Sequence, residues 1–138
     1  MYILDTNVIS ELRKAKSGKA DKHVTAWASK IPPSAMFHSV ITIQEHEIGI
    51  LLLERRDKAQ GAVLRAWLNS HVLPTFSGRI LAIDTAVAQH CAMLHVPHPQ
   101  ADLDALIAAT ALTHGMTIVT RDIADFEPTG VGIHNPWN

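Results

Sequence analysis

The sequence predicts an α/β fold, a parallel sheet of about four to five strands flanked by helices. Three observations carry this prediction. Short apolar runs alternate along the chain with longer segments of helical period. Each short run is bounded by turn residues. No internal repeat, linker or low-complexity stretch interrupts the alternation.

Tyr2, Ile3 and Leu4 form the first apolar run. Val8, Ile9 and Leu12 then recur at helical spacing, so Asp5 or Thr6 caps a helix that starts where the strand ends. Residues 13–22 gather Arg13, Lys14, Lys16, Lys19 and Lys22 around Gly18 and read as a basic loop. A helix over 23–30 stops at Pro32-Pro33. Residues 35–40 read as the second strand, and 42–56 and 58–72 as two helices. A turn over 74–78 precedes a third strand over 80–83, which ends on Asp84. Residues 85–96 are helical until Pro97 and Pro99. The helix over 102–114 is apolar nearly all round, so it should be buried, and Gly115 ends it. A strand over 116–119, a helical turn over 122–126 and a last strand over 130–133 complete the chain.

A chain of 138 residues fits a single domain, 1–138, and 47% apolar residues supply its core. The lone Cys91 excludes an intrachain disulfide and reads as a small packed helix residue, which fits a reducing cytosol. The start of the chain has no basic lead or cleavable apolar stretch. No run of about 18 apolar residues offers a membrane span. The net charge of −1 excludes nucleic-acid binding by bulk electrostatics. Such a substrate would need local basic patches and metal ions.

In a parallel sheet, ligands bind at the carboxyl ends of the strands. That rule directs attention to Asp5, Asp84 and Thr120-Arg121-Asp122. Asp5 and Asp84 both fit helix caps, and Asp122 fits the cap of the short turn after it. Glu45 has Ile48, Gly49 and Leu52 at helical spacing, an arrangement that predicts a buried carboxylate in need of a cation. Glu47 shares a face with Glu54, nearer Arg55, and reads as solvated. Asp104 faces Ile107, Ala108 and Ala111, while Asp102 faces Leu106 and Ala109, so spacing leaves the choice between them open. Carboxylates converging at one sheet edge repel one another unless divalent cations sit among them, and carboxylates plus water suit Mg²⁺ or Mn²⁺. The nine histidines show no metal-ligand spacing; His46, His90, His95 and His114 read as helix-surface residues.

Four segments together resemble the PIN-domain family and, within it, the VapC-type toxins of toxin–antitoxin pairs. They are Ile3-Leu4-Asp5-Thr6-Asn7-Val8-Ile9-Ser10, Ser39-Val40-Ile41-Thr42-Ile43-Gln44-Glu45 with Gly49-Ile50, residues 104–111, and Val119-Thr120-Arg121-Asp122 with Asp125-Phe126. Residues 74–81 and 130–137 are similar to the FitB-like branch. The resemblance implies a PIN-like fold and selects Asp104 over Asp102. It carries the metal-site acids onto Asp5, Glu45, Asp104 and Asp122, with Thr6 and Thr120 supporting them. His46-Glu47 stands where relatives often carry Leu-Arg, a departure beside the site.

That resemblance implies an Mg²⁺-dependent, or Mn²⁺-dependent, endoribonuclease acting as a toxin in the cytoplasm. A cognate antitoxin would be its partner and RNA its substrate. A homodimer is implied as well, for which residues 51–53 and 67–68 offer apolar surface. Arg121, Arg13 and Lys14 are the candidate RNA contacts, with the cluster Arg55, Arg56 and Lys58 beside them. The alternatives are a PIN nuclease of RNA maturation and a non-catalytic module that assembles with a DNA-binding antitoxin; the intact set of acids argues against the latter. A phospho-receiver domain would need paired acids after the first strand and a late lysine, whereas Asp5 stands alone and no lysine follows Lys58.

Overall fold

The computed structural model describes residues 1–138. Its strands are β1 (Tyr2–Leu4), β2 (Met36–Ser39), β3 (Ile80–Leu81), β4 (Thr117–Val119) and β5 (Ile133–His134). Its helices are α1 (Thr6–Arg13), α2 (Lys22–Lys30), α3 (Val40–Arg56), α4 (Lys58–Trp67), α5 (Leu73–Thr75), α6 (Thr85–Leu94), α7 (Asp102–His114) and α8 (Ile123–Phe126). All five strands are parallel, in the order β3-β2-β1-β4-β5. The expected α/β class is what forms.

β1 is central. Tyr2, Ile3 and Leu4 lie opposite Thr117, Ile118 and Val119 of β4. The period of two then sorts their side chains. Ile3 and Ile118 pack on one face with Ile107, Ala108 and Ala111 of α7 and Phe126 of α8. Leu4 and Val119 pack on the other with Val8 and Ile9 of α1. Small residues let the helices come close: Ala105 and Ala109 of α7 meet Val87 and Cys91 of α6. Cys91 is thus the buried packing residue expected.

The chain builds β1, β2 and β3 outward on one side, then returns past β1 to lay down β4 and β5 on the other. The crevice between the ends of β1 and β4 is therefore the topological switch point, where α/β sheets bind ligands.

Several boundaries shift from the expected ones. α3 starts at Val40, directly after β2, because Ser39 Oγ accepts from the Ile41 amide at 3.0 Å. The expected helix over 58–72 is α4 followed by a π-helical stretch, Leu68–Val72, in which the Leu73 amide reaches back five residues to the Leu68 carbonyl. Only Ile80 and Leu81 of the third run pair with β2, and the last strand falls at Ile133–His134 rather than 130–133. The basic loop contains a 3₁₀ turn, Ala15–Ser17, closed by Gly18 at φ 73°. Asp84 caps α6, its Oδ1 accepting from Val87 at 2.9 Å. No helix is long and apolar enough to cross a membrane.

Candidate active site

Asp5 is the first residue beyond β1, and its amide still pairs with the Val119 carbonyl at 3.0 Å. The sheet thus fixes its backbone. The same residue is the N-cap of α1, with Oδ1 accepting from the Thr6 amide at 2.8 Å. The other oxygen, Oδ2, accepts from the Thr120 hydroxyl, also at 2.8 Å. Asp5 is 7% exposed. Burial is the main reason its pKa is pushed up to about 6; the hydrogen bonds from Thr120 and Thr6 oppose the rise, and the negative charges of Glu45 and Asp104 add to it.

Thr120, the first residue beyond β4, is fully buried. Its hydroxyl donates to Asp5 and accepts from the Asp122 amide at 3.0 Å. Asn7 closes the network from α1. Its Nδ2 donates to Asp122 Oδ2 at 3.1 Å and to Thr120 Oγ1 at 3.3 Å, with Asp5 Oδ2 at 3.5 Å. Its Oδ1 accepts from the Arg121 amide at 3.4 Å. One amide side chain therefore ties the end of β1 to the loop after β4. The Asp122 side chain makes no capping bond to α8, so the capping reading for it does not hold; its carboxylate turns to Asn7 instead.

Glu45 enters from α3. Its Oε1 accepts from the Thr6 hydroxyl at 2.7 Å, so the threonine beside Asp5 also positions the second acid. Asp104 lies in the first turn of α7 and is half-buried, whereas Asp102 is exposed. Burial raises the pKa of Asp104, and the charges of Asp125, Glu45 and Asp122 raise it further. Asp5, Glu45, Asp104 and Asp122 thus share one electrostatic neighbourhood at the switch point.

Asn7 and Asp125 received no role from the sequence. Asn7 lies in the segment Ile3–Ser10, and Asp125 follows Asp122 in the segment that ends at Phe126. Asp125 stands three residues after Asp122 on a helical turn, a spacing that places it on the same side. Nothing in spacing marks Asn7, whose partners Thr120, Arg121 and Asp122 lie more than a hundred residues away.

The reason given for Glu45 is corrected. Ile48, Gly49 and Leu52 are exposed, and Glu45 is only half-buried. The inner face of α3 is Ile41, Thr42, His46 and Ile50. His46 is therefore no surface residue. It lies beside the fully buried His38, and burial lowers the pKa of His46 to about 4 and that of His38 to about 3. Glu47 is not simply solvated either: Arg65 of α4 grips its two oxygens at 2.8 and 2.7 Å and reaches Glu54 at 3.3 Å.

The candidate cations are placed differently from one another. Lys14 lies 3.5 Å from Glu11. The Arg121 guanidinium stacks 4.3 Å from the Trp137 ring centre at the rim of the site. Arg13 lies 5.9 Å from the Trp67 ring centre. Leu51 and Leu52 are exposed while Leu68 is fully buried, so the expected apolar surface divides between exterior and core.

The family model described as the PIN domain matches residues 2–129. This chain belongs to the PIN-domain family. It is 37% identical to the plasmid stability protein StbB of Pseudomonas syringae pv. tomato, over 99% of both chains. Toxin FitB of Neisseria gonorrhoeae is 36% identical, over 100% of this chain and 99% of its own. A VapC ribonuclease of Sinorhizobium fredii is 34% identical, over 99% and 98%. The crystal structure of FitAcB from Neisseria gonorrhoeae superposes with a TM-score of 0.90 at 36% identity, covering 100% of this chain and 99% of that one.

PIN-domain carboxylates invite a divalent cation, and the donor set permits one. The four acids are hard oxygen ligands; after burial, the charges of Glu45 and Asp104 raise the pKa of Asp5 and those of Asp125, Glu45 and Asp122 raise that of Asp104, a repulsion that a cation relieves. No three of them close into a ligand set by themselves.

Proposed function

We propose that this chain is a metal-dependent endoribonuclease that serves as the toxin of a toxin–antitoxin pair. The observation that carries the reading is the convergence of Asp5, Glu45, Asp104 and Asp122 on the switch point, in a chain that matches relatives named toxin and ribonuclease over their full length. These four acids would hold Mg²⁺ or Mn²⁺. The chemistry such an ion supplies is acidification of a water and neutralisation of charge on phosphoryl oxygens.

The chain's own groups do the rest. Thr120 and the Thr6 amide hold Asp5 with one oxygen each way, so its carboxylate cannot rotate out of the crevice. Thr6 Oγ1 holds Glu45, and Asn7 holds Asp122. Asp104 stands across from Asp5 at the dipole-positive end of α7. Arg13, Arg121 and, more weakly because of Glu11, Lys14 would contact the flanking RNA. The place of such an activity is the cytosol, with the RNA.

An antitoxin would block the crevice by presenting an Arg or Lys to the acids, competing with the cation through charge-assisted hydrogen bonds. The exposed Ile48, Leu51 and Leu52 of α3 with Val63 of α4 would supply the surface on which two copies associate. The test is direct. Purified protein should cleave single-stranded RNA, lose activity in EDTA and regain it with Mg²⁺ or Mn²⁺. Cleavage indifferent to chelation would reject the metal-dependent reading.

A further inference from the structure

A groove of about 300 Å³ opens beside the acids, between α1, α3 and α4. Thr6 and Glu45 stand at its inner end; Ser10, Arg13, Arg56 and Trp67 line the way out. It is therefore continuous with the site, and its rim carries cations in a chain whose net charge is −1. Neither Arg13 nor Arg56 is spent on an ion pair within the chain. The acids of the neighbouring helix face, Glu47 and Glu54, are both engaged by Arg65.

Trp67 is half-buried at the end of α4, and its ring is held in place from below. The buried His46 meets it edge-on, with centroids 5.2 Å apart and planes at 88°. His46 in turn stands 6.3 Å from His38, which packs 4.0 Å from Phe76. The row is thus a packed platform of rings beneath Trp67. The Arg13 guanidinium above the ring is 5.9 Å away, about one ångström short of the roughly 7 Å that two van der Waals layers occupy. An exposed Arg13 can move that far.

Building on the ribonuclease reading, we propose that Trp67 and Arg13 form a base-stacking subsite that holds one nucleotide next to the cleaved bond and gives the enzyme its sequence preference. A flat base lies on Trp67 and under Arg13, while Arg56 takes a phosphate. Single-stranded RNA is the occupant that this combination of aromatic face, cationic rim and continuity with a phosphodiester site favours.

The experiment compares wild type, Trp67→Ala, Trp67→Phe and Arg13→Ala on a short single-stranded RNA of mixed sequence, with circular dichroism to check folding. Trp67→Ala should raise KM by roughly tenfold or more and widen the set of cleaved positions, with kcat changed by less than about twofold. Trp67→Phe, which keeps a stacking ring, should stay near wild type. Arg13→Ala should raise KM and flatten its salt dependence. Binding is read independently by tryptophan quenching in an Asp5→Asn, Trp137→Phe background: RNA should quench the fluorescence, and adding Trp67→Phe should abolish the quenching. Unchanged KM and cleavage pattern in Trp67→Ala, or quenching that survives Trp67→Phe, overturns the subsite. So does a Trp67→Ala protein that cleaves normally but no longer binds a protein partner. If wild type cleaves no RNA at all, the ribonuclease reading fails instead.

Discussion

Asp5 serves two roles that one substitution separates. As the cap of α1, an asparagine would serve as well. As the proposed metal-holding carboxylate beside Glu45 and Asp104, it would need its charge. Burial holds its pKa at about 6 against an ordinary 3.8, so over that window the metal-free folded state binds more protons than the unfolded one. Stability therefore falls as pH rises from 3.8 to 6, and the full cost, up to about 3 kcal/mol, is present above pH 6. Asp5→Asn should accordingly abolish RNA cleavage while the urea midpoint at pH 7.5 in EDTA matches or exceeds that of wild type. A much lower midpoint would make Asp5 a structural cap first. In wild type, cleavage should fall as pH drops through about 6, and more metal should move that midpoint lower, because the cation favours the ionised carboxylate.

At the scale of elements, the lock between α3 and α4 is the clearest case of packing that the sequence did not announce. Gly61 of α4 lies against Glu54 of α3: a methyl group there would sit 2.6 Å from Glu54 Cγ and 2.7 Å from its Cα. Gly61→Ala gains helix propensity worth up to about 1 kcal/mol, but backbone contacts that close cannot relax locally, and overpacking costs about 1–3 kcal/mol. The net outcome should be a loss on the order of 1 kcal/mol in thermal or urea unfolding, with Arg65 displaced from Glu47 and Glu54; a stabilised Gly61→Ala protein would disprove the close approach. The same helix pair shows what periodicity could and could not tell. The end of β1 was legible because its apolar run stops at Asp5, and α7 was legible because it is apolar on nearly every side. The orientation of α3 was not. It is apolar on two faces, so Ile48 and Leu52 suggested burial for Glu45 while the core took Ile41, Ile50 and His46. Glu45 was singled out by that spacing as well as by its motif; the spacing argument fails, and the Thr6 hydroxyl is what ties Glu45 to the site. Asn7 stayed hidden because its partners Thr120, Arg121 and Asp122 are set by strand order, which no local pattern encodes.

The whole molecule is arranged to hold acids apart and together at once. Strand order β3-β2-β1-β4-β5 brings the ends of β1 and β4 side by side, and α3 and α7 aim one acid each at that crevice. Folding thereby buries carboxylates and gathers their charge, and both register as raised pKa values at Asp5 and Asp104, burial first and neighbouring charge second. A cation that binds only where these elements are assembled must then stabilise the assembled state. At about a hundred times its dissociation constant, such a ligand contributes about 2.7 kcal/mol, or roughly 5–10 °C in Tm for a chain of this size. Titrating Mg²⁺ or Mn²⁺ into EDTA-stripped protein at pH 7.5 should raise Tm by that order. Asp5→Asn, already relieved of the central charge, should start higher and respond little. An equal rise in both proteins would mean that the cation acts elsewhere on the surface, and the crevice would lose its claim as the metal site even if the RNA were still cut.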